Sequence, residues 1–92
     1  MTLFLVEIYV SRTDADAAQR FAKNARRAAE ELSRAGTPVR YERSIFVPED
    51  ETCFYLYEAE SADAVREAAT RAGLPFERVV EALVQPDAEE EK

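Results

Sequence analysis

The sequence predicts an α+β domain of βαββαβ order, one four-stranded antiparallel sheet with two helices on the same face. Three observations point there. Two segments carry buried stripes at helical spacing, Ala18 to Leu32 and Val65 to Ala72. Four short segments are rich in β-branched and aromatic residues, and the two glycines, Gly36 and Gly73, each stand where a helical stripe stops.

Leu3 to Val10 reads as the first strand. Thr13 is the expected N-cap of the first helix, with Asp14 and Asp16 suited to its positive end. Its stripe is Ala18, Phe21, Ala22, Ala25, Ala28, Ala29 and Leu32, and Gly36 and Pro38 end it. Val39 to Val47 is the second strand, "PEDE" the turn, and Thr52 to Glu58 the third. Ser61 caps a second helix with the stripe Val65, Ala68, Ala69 and Ala72, closed by "AGLP". Arg78 to Val84 is the fourth strand. Residues 1–85 form one domain on this reading, and residues 86–92 an acidic, mobile tail.

The order βαββαβ is the split βαβ, or ferredoxin-like, arrangement. Two helices cover one side of such a sheet, so the other side decides whether the monomer can stand alone. Phe4, Val6, Ile8, Val10, Phe54, Leu56, Val80, Ala82 and Val84 carry no charge and are expected to face the helices. The open face is then Leu3, Leu5, Glu7, Tyr9, Cys53, Tyr55, Tyr57, Val79, Glu81 and Leu83. Pairing Val47 with Thr52 across the turn adds Phe46, Ser44 and Glu42 to it. So apolar and aromatic a surface predicts a homo-oligomer, a dimeric α/β barrel or a larger closed assembly.

Composition excludes several functions. A 92-residue chain, 47% hydrophobic and 34% charged, is neither disordered nor membrane-like. Nineteen acidic against 12 basic residues give a formal net charge of −7, which repels nucleic acid and anionic lipid. The N-terminal apolar run meets Glu7 too early for a secretory core or a span, and one cysteine forms no internal disulfide, so a cytoplasmic location is expected. With no histidine there is no Ser/His/Asp or Cys/His nucleophile, and no phosphate-binding glycine loop is present.

Glu7 and Glu81 lie on neighbouring strands; two carboxylates facing one cavity could separate into an acid and a base, or hold a hard cation. Pairing with Arg40 or Arg78 is the competing reading. Tyr9, Tyr55 and Tyr57 supply apolar walls with orienting hydroxyls, or simply pack against a partner chain. Cys53, near acids and without histidine, reads as structural. The expected ligand site is Glu7, Tyr9, Ser44, Tyr55, Tyr57 and Glu81. No cofactor is expected; Glu7, Cys53 and Glu81 are the weak candidates for a divalent metal.

"AVREAATRAGLPFERV" resembles the second-helix signature of domain-of-unknown-function family 4242, small ferredoxin-like proteins of which some are named nickel-binding. The resemblance extends over nearly the whole chain. Glu7, Tyr41, Ser44, Tyr57, Ala59, Arg66, Gly73, Pro75, Arg78 and Val79 match its pattern. It implies the fold, an oligomer and metal binding. This chain departs where metal chemistry matters: Arg43 and Ala68 stand in place of histidines, and Tyr55 in place of a cysteine. The leading expectation is a cytoplasmic homo-oligomer binding a small ligand, less readily a metal, on the open face. The alternatives are a cofactor-free dimeric-barrel enzyme of oxygenase or isomerase type, with a Glu/Tyr pair abstracting a proton, and a purely structural assembly protein.

Overall fold

The computed structural model describes residues 1–86; of the acidic tail expected at 86–92, residues 87–92 lie outside the described residues. The elements follow the expected order: β1 (Thr2–Tyr9), α1 (Ala15–Arg34), β2 (Val39–Val47), β3 (Thr52–Ala59), α2 (Ala62–Arg71) and β4 (Phe76–Ala82). All neighbouring strands are antiparallel, in the spatial order β2-β3-β1-β4.

The helix ends are set by local chemistry. α1 is capped by Asp14 rather than Thr13, its side chain accepting the Ala17 N–H at 3.1 Å, while the hydroxyls of Ser11 and Thr13 bond each other at 3.1 Å. Ser61 caps α2 as expected, accepting the Ala64 N–H at 3.2 Å. At the C-terminus of α1, the Thr37 N–H reaches the Leu32 carbonyl and the Gly36 N–H reaches Ser33. This closure requires Gly36 at φ 109°, a left-handed conformation that a side chain would strain. Pro48–Asp50 forms one 3₁₀ turn, and Val47 pairs with Thr52 as expected.

The core lies between the sheet and the helices. β1 contributes Phe4, Val6 and Ile8, and Val10 stands just beyond its end; α1 supplies mainly Ala25, Ala28, Ala29 and Leu32, and α2 Val65, Ala68 and Ala69. The helical contribution is mostly methyl groups. Close packing then demands bulk from the sheet.

That demand turns β3 over relative to expectation. Its register with β1 pairs Phe4 with Tyr57, Val6 with Tyr55 and Ile8 with Cys53, and directly opposed residues share a face. Cys53, Tyr55, Tyr57 and Ala59 are therefore wholly buried beneath the helices, and Phe54 and Leu56 face the open side. β2 moves with it: Phe46 and Ser44 remain opposite Cys53 and Tyr55, as expected, and go with them to the helix side. A bulge at Glu42 places Tyr41, not Glu42, opposite Tyr57.

β4 is turned over too. It begins at Phe76, two residues earlier than expected, because Phe76 packs on the core beside the buried Leu74. The pairing with β1 then shifts between Arg78 and Phe76, which changes the parity of the rest of the strand. Val79 sits opposite Val6 on the helix side, and Glu81 opposite Phe4; Val80 and Ala82 take the open side, opposite Leu5 and Leu3. Val84, expected beneath the helices, lies beyond the strand and is 81% exposed, like Leu83.

Candidate functional site

The open face carries an apolar centre with charged groups around it. Leu3 and Leu5 of β1, Phe54 and Leu56 of β3, and Val80 and Ala82 of β4 are each half-buried by one another and by the strands beneath. Ile45 of β2, opposite Phe54, is 48% exposed. Among the described residues no helix lies over this surface, since α1 and α2 both pack on the other side.

Three polar clusters surround that centre. Glu7 of β1 accepts a 2.6 Å hydrogen bond from Arg78 Nε of β4, and their registered positions place both on the open face. The ion pair is partly wet, the Glu7 side chain keeping 29% of its accessible surface. At one end of β1 the Tyr9 hydroxyl donates to the Glu51 carboxylate at 3.3 Å, and Glu51 also accepts the Arg12 N–H at 3.0 Å. Across the edge strand β2 and its neighbour β3, Arg40 donates to Glu42 at 2.7 Å and to Glu58. Those carboxylates, Glu42 foremost, hold the Arg40 guanidinium above its ordinary range.

The residues expected to form one ligand site divide between two faces. Glu7 and Tyr9 stand on the open face, on alternate positions of β1. Tyr55 and Tyr57 are core residues: the Tyr55 hydroxyl donates to the Ala18 carbonyl of α1 at 2.9 Å, and the Tyr57 hydroxyl has no partner among the described residues. Burial pushes both phenols well above their ordinary range. A Glu/Tyr pair for proton abstraction on the open face thus retains only Tyr9. Ser44 and Glu81 are exposed near opposite edges on the helix side, so the expected Glu7/Glu81 carboxylate pair does not form.

Cys53 is buried opposite Ile8, and burial raises its thiol above the usual range. It is a packing residue with little thiolate character. Among the described residues, no three His, Cys, Asp or Glu side chains gather as a metal site would require.

A different site was not legible in the periodicity. Two cavities, about 830 and 510 Å³, lie along α1 and the edge strand β2, and both are lined by Arg26, Glu30 and Tyr41. The Arg26 guanidinium carbon sits 5.0 Å from the centroid of the Tyr41 ring. The only sequence signal was a run of basic residues on one flank of α1, Lys23, Arg26, Arg27 and Arg34.

A family model described as "Nickel responsive protein SCO4226-like" matches residues 4–82, from the first core residue of β1 to the last residue of β4. The chain belongs to the SCO4226-like family. The nickel-linked family and the ferredoxin-like fold implied by the second-helix signature are thereby shown, while the narrower family-4242 label is not. The chain also resembles the crystal structure of SCO4226 from Streptomyces coelicolor A3(2), at a TM-score of 0.68 and 21% identity, over 91% of this chain and 99% of that one. At that identity the likeness bears on the fold. No curated protein matches the chain. No helix among the described residues is long and apolar enough to cross a membrane.

The family description raises nickel, and the residues present do not fit it. Nickel favours imidazole and thiolate donors, whereas this member of the SCO4226-like family has no histidine and keeps its one thiol in the core. Of the carboxylates around the open face, Glu7 is already engaged by Arg78 and Glu42 by Arg40.

Proposed function

We propose that this protein acts as a homo-oligomer, two copies bringing their open sheet faces together as a dimeric α/β barrel, with a small ligand held between them beside Glu7. The observation that supports it is the uncovered, half-buried apolar centre of Leu3, Leu5, Phe54, Leu56, Val80 and Ala82, with ion pairs at its margin. An apolar centre with a polar margin is the anatomy of a subunit interface. Such a face left in water loses the stabilisation that burial against a second copy supplies.

The Glu7–Arg78 pair gives the ligand its chemistry. A carboxylate and a guanidinium 2.6 Å apart present an acceptor and several donors at the edge of an apolar wall, which suits a small molecule carrying both a hydrogen-bonding group and an apolar body. Nickel is not the ligand on this reading, for want of imidazole and thiolate donors.

Size-exclusion chromatography with light scattering tests the assembly. The native protein is expected to elute as a dimer or larger, and Leu56→Lys as a folded monomer with unchanged far-ultraviolet circular dichroism. A native protein that is monomeric at micromolar concentration overturns the proposal. Glu7→Gln should leave the assembly intact; if it dissociates the dimer instead, Glu7 serves the interface and no ligand.

A further inference from the structure

Away from the open face, this acidic chain gathers positive charge in one place. The two cavities along α1 and β2 share Arg26, Glu30 and Tyr41 and are two lobes of one groove. Lys23, Arg26, Arg27 and Arg34 line it against the single carboxylate of Glu30, while Arg40, also lining it, is paired with Glu42 and Glu58. Four of the chain's 12 basic residues, none with an ion-pair partner among the described residues, stand at this groove against one of its 19 acidic ones, which makes it locally cationic on a molecule of net charge −7.

We propose that this groove binds a small organic oxyanion, a phosphate monoester or a carboxylate on a flat apolar body. Arg26 is the anchor. Its guanidinium is held over the Tyr41 ring, and among the described residues no carboxylate lies within ion-pair distance of it. A guanidinium seated on an aromatic face keeps a planar set of N–H donors for a two-pronged oxyanion.

Tyr41 is itself fixed. It is 8% exposed, with its ring 5.8 Å from that of Tyr57 in an edge-on arrangement and 6.5 Å from that of Tyr55. The anchor thus rests on the core, so little freedom is lost when a ligand binds. Lys23 and Arg27 flank it in one lobe and Arg34 in the other, and among the described residues none of these three pairs with a carboxylate.

The floor selects for an apolar body. Ala29, Pro38, Val39 and the Tyr41 ring line the larger lobe. Its volume of about 830 Å³ lies within the ordinary range for small-molecule sites. A nucleic acid would have to follow its backbone out of the groove onto an acidic surface, which repels it; a compact anion does not. Because the groove lies on the helix side of the sheet, the inference does not depend on what covers the open face.

Titration of the full chain at fixed ionic strength, with phenyl phosphate, benzoate and inorganic phosphate as probes, tests this by calorimetry and by amide and side-chain chemical shifts. Saturable binding of phenyl phosphate or benzoate is expected, with shifts centred on Arg26 and Tyr41; whichever binds more tightly identifies the oxyanion. Inorganic phosphate should bind at least about threefold more weakly than the better aromatic probe, since it lacks the apolar body. Arg26→Gln is expected to weaken the better probe about tenfold, the loss of a charged hydrogen-bond set, and Arg26→Lys less than that. Arg12→Gln, the same charge change outside the groove, should leave it unchanged. Arg34→Gln repeats the comparison should Arg26→Gln not fold. Absence of saturable binding by both aromatic probes, equal weakening by Arg12→Gln and Arg26→Gln, or shifts centred on Glu7 and Leu56 would each overturn the proposal.

Discussion

Two tyrosines of β3 differ by one hydrogen bond, and their phenylalanine variants should move stability in opposite directions. Both side chains are wholly buried, and both hydroxyls were taken out of water on folding. The Tyr55 hydroxyl recovers a partner, the Ala18 carbonyl at 2.9 Å; the Tyr57 hydroxyl recovers none among the described residues. Removing a satisfied hydroxyl loses about 0.5–1.5 kcal/mol, whereas removing an unsatisfied one relieves a desolvation cost of about 1–3 kcal/mol. Tyr→Phe changes little else, because the ring and its packing stay. Tyr55→Phe should therefore be destabilised by about 1 kcal/mol and Tyr57→Phe stabilised by about 1 kcal/mol. With a urea m-value of about 1 kcal/mol/M, the two midpoints should separate by about 2 M. Urea unfolding monitored by circular dichroism, with all proteins at one concentration so that association is held fixed, reads this directly. If Tyr57→Phe loses more than about 0.5 kcal/mol, the hydroxyl has a partner such as an ordered water, and the reasoning fails.

Three further outcomes are expected. Burial raises the folded-state pKa of Tyr55, Tyr57 and Cys53, so above the unfolded-state values of about 10 and 9 the unfolded chain holds fewer protons than the native one and stability falls as pH rises. The two phenols together give a loss approaching about 2.7 kcal/mol per pH unit above pH 10, with stability insensitive to these groups below about pH 8; unfolding at stepped alkaline pH measures it, and a flat profile to pH 12 refutes it. Cys53 should be unreactive to an aromatic disulfide reagent in the native protein and react stoichiometrically in denaturant; rapid native labelling would place it at the surface. Calorimetry with nickel is expected to show only weak binding, and submicromolar affinity would overturn the conclusion that the residues do not fit that metal.

Much of the architecture was readable from short-range patterns. The alanine stripes of α1 and α2, the glycine closures at Gly36 and Gly73, and the Ser61 cap are local chemistry, decided within a turn or two of the chain. The pairing of Val47 with Thr52 was readable too, because the turn alone sets it. The choice of face escaped. Alternation in "TCFYLYEA" shows that Cys53, Tyr55 and Tyr57 share a side, but both sets of the strand are apolar enough for either side. Charge and hydropathy favoured Phe54 and Leu56 for the core; volume decided otherwise.

For the site, Glu7 was legible as a carboxylate on the open face, and its pairing with Arg78 was the weighed alternative that the structure bears out. Ser44, Glu81, Tyr55 and Tyr57 depended on strand parity and so moved together when β3 and β4 turned over. The groove at Arg26 and Tyr41 was not legible, since it joins residues of α1 and β2 whose proximity only the packing creates.

The sequence by itself determined the order of elements, the glycine stops of both helices and the presence of an apolar face without a helix, because each arises from local propensity and period. Only the tertiary structure decided which residues form that face. Alanine-lined helices leave room that methyl groups cannot fill, and the tyrosines of β3 fill it, even with one hydroxyl left without a partner among the described residues.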